Sequence, residues 1–383
     1  MYYKYFTVSD HSPLLSALTS PPDPILKPRN VLLVCTQRIG DVLLATPLAH
    51  SLKNAWPDIE VDFLVLPGTQ GVLEGNPDVG RILIFPQRVN LREKVSQFAR
   101  IWRRYDLAIA ATPSDRARIF AAAASAKSRG FLTDEKHQWA QRRLLDLAIP
   151  FDNLHTHTIC MGLQLLESLG IPPIAEVQTP RCSPSRWVQR KNELGLDSQN
   201  YAVIHPNPKF RYKMWRQENW SALIDWLREQ SLQVLLTGSN APEEAAYVNA
   251  IAASRPHACR SLAGQLSLAE TAELLREARL YVGPDTAVTH IAAAAGTPTI
   301  ALFGPSNPIK WGPWPNGWNS HESPWASRGS RRHGNVWLIQ GEGDCVPCLL
   351  EGCDRHLESE SRCLVEISVE RVATAASALL ADA

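Results

Sequence analysis

The residues best suited to chemistry sit where short apolar runs end. In YVGPDTAVTHIAAAAGTPTIALFGPSNP (281–308) a strand pattern stops at Gly283, Asp285 and Thr286 open a helix, and a second strand ends in another Gly-Pro turn. The first N–H groups of that helix, the Thr286 hydroxyl and the positive end of the helix dipole together suit a phosphate or diphosphate, and Gly283 lets the backbone come close to it. Thr286 and His290 are four residues apart and share a face, so His290 is placed to donate to a phosphate oxygen or a sugar hydroxyl. The plainer alternative is that Asp285 only caps the helix and His290 is a satisfied core histidine.

A second strand-to-helix loop, TQRIGDVLLATP (36–47), carries Asp41 at the start of a helix after the flexible Gly40. A carboxylate facing a cleft there suits a general base acting on a hydroxyl that must lose its proton as a glycosidic bond forms. The helix dipole opposes a raised pKa, so proximity has to contribute much of the effect; otherwise Asp41 merely stabilises its helix. A third loop, HPNPKFRYKMWRQENW (205–220), gathers Lys209, Arg211 and Lys213, cations fit to neutralise a diphosphate leaving group unless they are simply solvated. Trp215 and Trp220 in it read as core anchors.

Two clusters stand apart. Cys345, Cys348, Cys353 and Cys363 follow a Cys-x2-Cys-x4-Cys-x9-Cys spacing, whereas Cys35, Cys160, Cys182 and Cys259 are scattered. Four thiolates suit zinc or an iron–sulfur centre, but the second pair is split by nine residues where zinc sites use close pairs; reduced structural thiols or occasional disulfide formation are expected ahead of a metal. Trp311, Trp314, Trp318, Trp325 and Trp337, with Arg328, Arg331 and Arg332 among them, read either as an interfacial or sugar-stacking loop or as an irregular loop pinned by buried indoles.

Strand runs at 31–35, 61–67, 81–86 and 106–111 alternate with helical stretches, the first from Asp41 to Trp56, and predict a parallel α/β sheet. A Pro-punctuated stretch after HTHTICMGLQLLESLG (155–170) suits an interdomain connection, and the alternation then restarts with YAVIHPN, LQVLLTGS, RLYVGP and TIALFGPS. The expected organisation is an extension (1–29), a first α/β domain (30–175), a second (176–368) that includes the cysteine-rich segment 345–363, and a terminal helix (369–383). Ligands in such folds bind at the carboxyl ends of the strands.

The 383 residues exceed what one core usually supports, and 45% hydrophobic with 20% charged residues is a globular composition. Lys plus Arg is 39 and Asp plus Glu 38, a formal charge of +1, which disfavours nucleic acid as the main partner. The run from Ala287 to Phe303 is interrupted by His290, Gly296 and Pro298, so no membrane span is expected. The first residues lack a basic start followed by an apolar core, and a cytoplasmic location is expected.

Taken together, QRIGDVLLATP after the first strand, Lys213-Met214-Trp215 opening the second domain and GPDTAVTHIAAAAGTPTIALFGPSNP near the end resemble the ADP-heptose:lipopolysaccharide heptosyltransferases, glycosyltransferase family 9. The closing Cys-Val-Pro-Cys, Gly-Cys and Arg-Cys-Leu pattern looks most like their type III branch, which adds a side-branch heptose to the inner core. The resemblance implies a GT-B fold of two Rossmann-like domains facing a cleft. An ADP-sugar donor would sit on the second domain and the lipopolysaccharide inner-core acceptor on the first, with no cofactor or metal. It makes Asp41 the general base, sets Lys213 on the donor phosphates and Asp285 on the sugar, and brings backbone groups of Thr286, Ala287 and Val288 to the diphosphate. Glu243 matches an acidic donor contact, with Glu244 as its rival. Peripheral contact with the inner membrane is implied, through RIWRRYD (100–106) or the Trp-Arg loop. Another nucleotide sugar as donor, or a non-catalytic binding or assembly role, are the alternatives.

Overall fold

The computed structural model describes residues 27–133, 138–196 and 200–382, so the expected extension 1–29 lies almost wholly outside the described residues. The first sheet holds β1 (Asn30–Cys35), β2 (Glu60–Val65), β3 (Ile82–Ile84), β4 (Leu107–Ala110), β5 (Ser128–Leu132) and β6 (Leu147–Pro150) in the order β3-β2-β1-β4-β5-β6, all parallel. The second holds β7 (Tyr201–Ile204), β8 (Gln233–Leu236), β9 (Cys259–Ser261), β10 (Leu280–Pro284), β11 (Thr299–Phe303), β12 (Arg331–His333) and β13 (Val336–Gln340) in the order β12-β13-β11-β10-β7-β8-β9. Only β12 runs antiparallel. Each sheet therefore reverses its winding beside its first strand, between β1 and β4 and between β7 and β10. At such a switch point the flanking crossovers leave a crevice at the carboxyl ends of the strands.

Helices cover both faces of the first sheet, so its strands are apolar in both directions. Val31, Leu33, Phe63 and Ile109 face α1 (Ile39–Leu44), α2 (Thr46–Ala55) and, beyond them, α6 (Thr158–Glu167), while Leu32, Val34, Leu64 and Ala108 lie under α3 (Leu91–Ile101) and α4 (Asp115–Ala124), with α5 (Gln138–Leu144) beside α4 on β5 and β6. The single helix expected from Asp41 to Trp56 is two. Pro47 has no N–H for the Leu43 carbonyl, and the Thr46 hydroxyl takes that carbonyl at 2.7 Å, so the chain breaks at Ala45. The strand pattern missed β5 because Arg129 interrupts its apolar run; the guanidinium is buried and donates to the Leu165 carbonyl and the Ser168 hydroxyl.

Around the second sheet lie α7 (Pro184–Leu194), α8 (Gln217–Glu229), α9 (Pro242–Ser254), α10 (Leu268–Glu277), α11 (Ala287–Ala294), α12 (Pro308–Trp311), α13 (Arg362–Val365) and α14 (Val369–Ala381). The terminal α14 buries Val372, Ala375, Ala376 and Leu379 against the second sheet and α8. Trp215 and Trp220, packed edge to face at 4.8 Å, sit in the same core. The core facing the crevice is continuous between the two halves: Val42 and Leu43 of α1 belong to one cluster with Ile291 of α11 and Leu274 of α10. This pair of Rossmann-like α/β units is the GT-B arrangement. Among the described residues no helix is long and apolar enough to cross a membrane.

Candidate active site

Three loops leave the carboxyl ends of β1, β7 and β10 and meet. After β1, Asp41 is the third residue of α1 and accepts the Arg38 N–H at 3.1 Å. Part of its surface faces the crevice, yet surrounding protein raises its pKa: burial outweighs the opposing Arg38 hydrogen bond and the charges of Arg38 and Lys213. The shift is upward although Asp41 lies in the first turn of α1, where the helix dipole works the other way. The same loop touches the second half directly. A side-chain carbon at Gly40 would stand 3.9 Å from His290 Cδ2, and the Arg38 guanidinium lies over the Phe210 ring at 4.7 Å.

After β10, Asp285 does not cap the helix; Thr286 does, its hydroxyl accepting the Thr289 N–H. The Asp285 carboxylate instead accepts from Lys213 Nζ at 2.5 Å and from Ser306 Oγ at 2.7 Å, both on Oδ2. Burial alone would raise its pKa, but the Lys213 charge and these hydrogen bonds hold it below the usual carboxylate range. The Ala287 and Val288 N–H groups open the first turn of α11, where no intrahelical carbonyl is available to them. His290 is 5% exposed and its Nε2 stands 4.0 Å from Asp285 Oδ1, while Nδ1 is buried with no hydrogen-bond partner among the described residues. Burial pushes its pKa down to about 4, so the ring is neutral at pH 7.

The three cations of the third loop separate. Lys213 pairs with Asp285, Arg211 with Glu360 at 3.0 Å, and Lys209 lies over Phe210 at 5.8 Å. The cysteine-rich segment buttresses this loop: Ser361 Oγ donates to the Tyr212 carbonyl at 2.6 Å, and just beyond it Ile367 takes the Trp215 indole N–H at 2.8 Å. All eight cysteines are free thiols, and the Cys363 pKa is pushed up to about 12, by burial first and then by Cys348, Cys353 and Cys345. Among the described residues no group of three or more His, Cys, Asp or Glu side chains is arranged to hold a metal ion. On α9, Glu243 is exposed, whereas Glu244 turns inward to accept from Ser239 N at 2.8 Å and stands 4.0 Å from His205 Nε2.

Spacing gave no hint of the residues that join the two halves beside the site. Lys310 is 1% exposed; its ammonium donates to the Asp152 carbonyl at 2.9 Å and sits 4.2 Å from the Phe151 ring centre. Burial lowers its pKa to about 8 against the pull of Asp152 and Asp41. Asn307 Nδ2 donates to the Leu154 carbonyl at 2.7 Å, and His157 Nε2–H to the Gly312 carbonyl at 2.9 Å while its Nδ1 accepts the Ile159 N–H. The one available signal was position, because the GPSNPIK stretch leaves the carboxyl end of β11. The Trp-rich region is pinned from within: Trp314 and Trp325 are buried and donate to the Trp318 and Pro313 carbonyls.

The model of glycosyltransferase family 9 (heptosyltransferase) matches residues 98–326. Lipopolysaccharide heptosyltransferase 3 of Escherichia coli is 30% identical over 288 residues, covering 72% of this chain and 84% of that protein. Among solved structures, a family 9 glycosyl transferase from Veillonella parvula superposes with a TM-score of 0.72 at 18% identity, covering 93% of this chain and 98% of its own. The E. coli ADP-heptose lps heptosyltransferase II follows at 0.71 and 20%, covering 92% and 99%. With the family matched over more than half its length and the two-sheet crevice in place, the chain belongs to glycosyltransferase family 9, the heptosyltransferases.

Proposed function

We propose that this chain is an inverting glycosyltransferase that moves heptose from ADP-L-glycero-D-manno-heptose to the inner core of lipopolysaccharide. Asp41 takes the proton of the acceptor hydroxyl, whose oxygen attacks the anomeric carbon in line as the bond to the diphosphate oxygen breaks. ADP leaves with its new charge toward the N–H groups of Thr286, Ala287 and Val288 and toward Lys213. An ammonium has three donors, and Asp285 occupies one of them. His290, neutral, donates to the sugar or the diphosphate, and Asp285 keeps Lys213 aimed into the crevice. Glu244, turned toward His205, is a better donor contact than Glu243.

The observation that carries this reading is that the loop holding Asp41 after β1 meets the Lys213–Asp285 pair of the second half, with Gly40 against His290 and Arg38 over Phe210. The acceptor is a lipid, so the protein works at the cytoplasmic face of the inner membrane as a peripheral protein. Incubation of the purified chain with ADP-heptose and a defined inner-core acceptor should yield a heptosylated product. Product only with another nucleotide sugar, or ADP-heptose binding without turnover, would reject the assignment.

A further inference from the structure

Large apolar side chains exposed to solvent are concentrated on one part of the surface. Of nine among the described residues, seven fall between Ile84 and Leu144, and the rest of the chain contributes only Val188 and Leu357. The principal ones are Leu91 (77% exposed), Val95 (61%), Trp102 (60%) and Trp139 (64%). Leu91, Val95 and Trp102 are spaced so that they fall on one stripe along α3 and the turn that ends it. The stripe is opposite the side that buries Gln97 and Ile101. Helix α4 joins α3, through Phe98 and Phe120 at 5.1 Å, to α5, which carries Trp139, and α4 itself exposes Ile119 at 44%.

The charge around these side chains is one-sided. Residues 91–104 and 138–144 hold seven Lys or Arg, all exposed, against the single acid Glu93, in a chain whose formal net charge is +1. Both exposed tryptophans carry an arginine over the ring, Arg103 on Trp102 at 5.6 Å and Arg143 on Trp139 at 5.7 Å. Indoles beside guanidinium groups suit the level of lipid headgroups, where the ring enters the acyl boundary and the cation meets phosphate. Because the strands are parallel, α3, α4 and α5 all begin at the carboxyl edge of the sheet, the edge that carries Asp41.

We infer, building on the transferase reading above, that the α3–α4–α5 face is the surface that docks this protein on an anionic phospholipid bilayer, holding the mouth of the crevice at the depth where a lipid-anchored acceptor presents its sugars. The occupant is the bilayer itself, since a protein partner would not require the pairing of every exposed indole with a cation, and α3 and α5 set Glu93 alone against their exposed cations, which suits anionic headgroups. Attraction of this kind falls steeply with ionic strength.

The test is co-sedimentation of the full chain with vesicles of phosphatidylcholine alone or mixed with phosphatidylglycerol, without any acceptor, so that binding is read apart from turnover. Wild type should bind the mixed vesicles and lose them at high salt. Trp102→Ser with Trp139→Ser should weaken binding at least about tenfold, and Arg103→Glu with Arg143→Glu by about as much again. Neither pair should alter the thermal midpoint or turnover on a water-soluble, deacylated acceptor. The second pair decides the matter should the first not fold. Wild type that ignores anionic vesicles, variants that bind as wild type does, or self-association abolished by the tryptophan substitutions would each overturn the docking face. Vesicle binding without turnover on the soluble acceptor would leave the face standing and remove the transferase reading instead.

Discussion

Two aspartates sit in strand-to-helix loops on facing sheets and have opposite properties. Asp41 lies in the first turn of the helix after the first strand of one sheet, and Asp285 just before the N-cap of the helix after the strand beside the switch point of the other, both at carboxyl ends. Asp41 has a backbone N–H as its close partner and a pKa raised by burial; Asp285 has an ammonium, a hydroxyl and a lowered pKa. A carboxylate that is costly to ionise takes a proton readily, while one locked in an ion pair does not. Their neighbours set the contrast, which fits the proposed roles of base for Asp41 and organiser for Asp285.

The sharpest way to break the contrast is Asp41→Asn, which should lower transfer by about 10³-fold while ADP affinity stays within error; near-normal turnover would remove Asp41 from the chemistry. Lys213→Met should cost about 10²-fold in kcat/KM and weaken ADP binding as well, read by calorimetry. Asp285→Asn leaves the Lys213 ammonium, 18% exposed, without its counter-charge and should destabilise the fold by about 3 kcal/mol in denaturant titration at neutral pH. Asp41→Asn should instead leave stability unchanged or raise it. The folded state holds the Asp41 proton more tightly than the unfolded chain does, so above that pKa the ionised group opposes folding. For Asp285 the sign is reversed: its stabilisation is full above the unfolded-state value and lost as pH falls through the depressed folded one.

The acid limb of kcat/KM should accordingly fall at a pH above the ordinary 3.8 of an aspartate, because the base role proposed for Asp41 requires its ionised form, and Asp285 should leave no mark there. The smallest effect expected is Ser306→Ala, which removes one hydrogen bond to Asp285, worth about 1 kcal/mol and a few-fold in rate. An effect as large as that of Lys213→Met would mean Ser306 touches the donor.

Strands β1, β2, β7, β10 and β11 were legible because buried parallel strands are runs of apolar residues, and the loops that follow them announce the site by topology. Arg129 hid β5, and Pro47 divided a helix whose apolar spacing runs straight through it. Asp41, Lys213 and Asp285 could each be singled out by residue type and place. Which cation of Lys209, Arg211 and Lys213 meets Asp285, and which of Glu243 and Glu244 turns inward, could not, since neighbours in a loop or on a helix differ in direction, and spacing does not measure that.

By itself the amino-acid order determined two α/β halves, the strand ends proposed to hold a diphosphate and a base, and a resemblance specific enough to identify the family. Tertiary structure alone decided the electrostatics. The Lys213–Asp285 contact spans 72 residues of chain, the Lys310 clasp on Asp152 spans 158, and the desolvation that raises Asp41 comes from packing around the crevice. A pKa depends on distance and burial in space, and neither is written in any local run of residues.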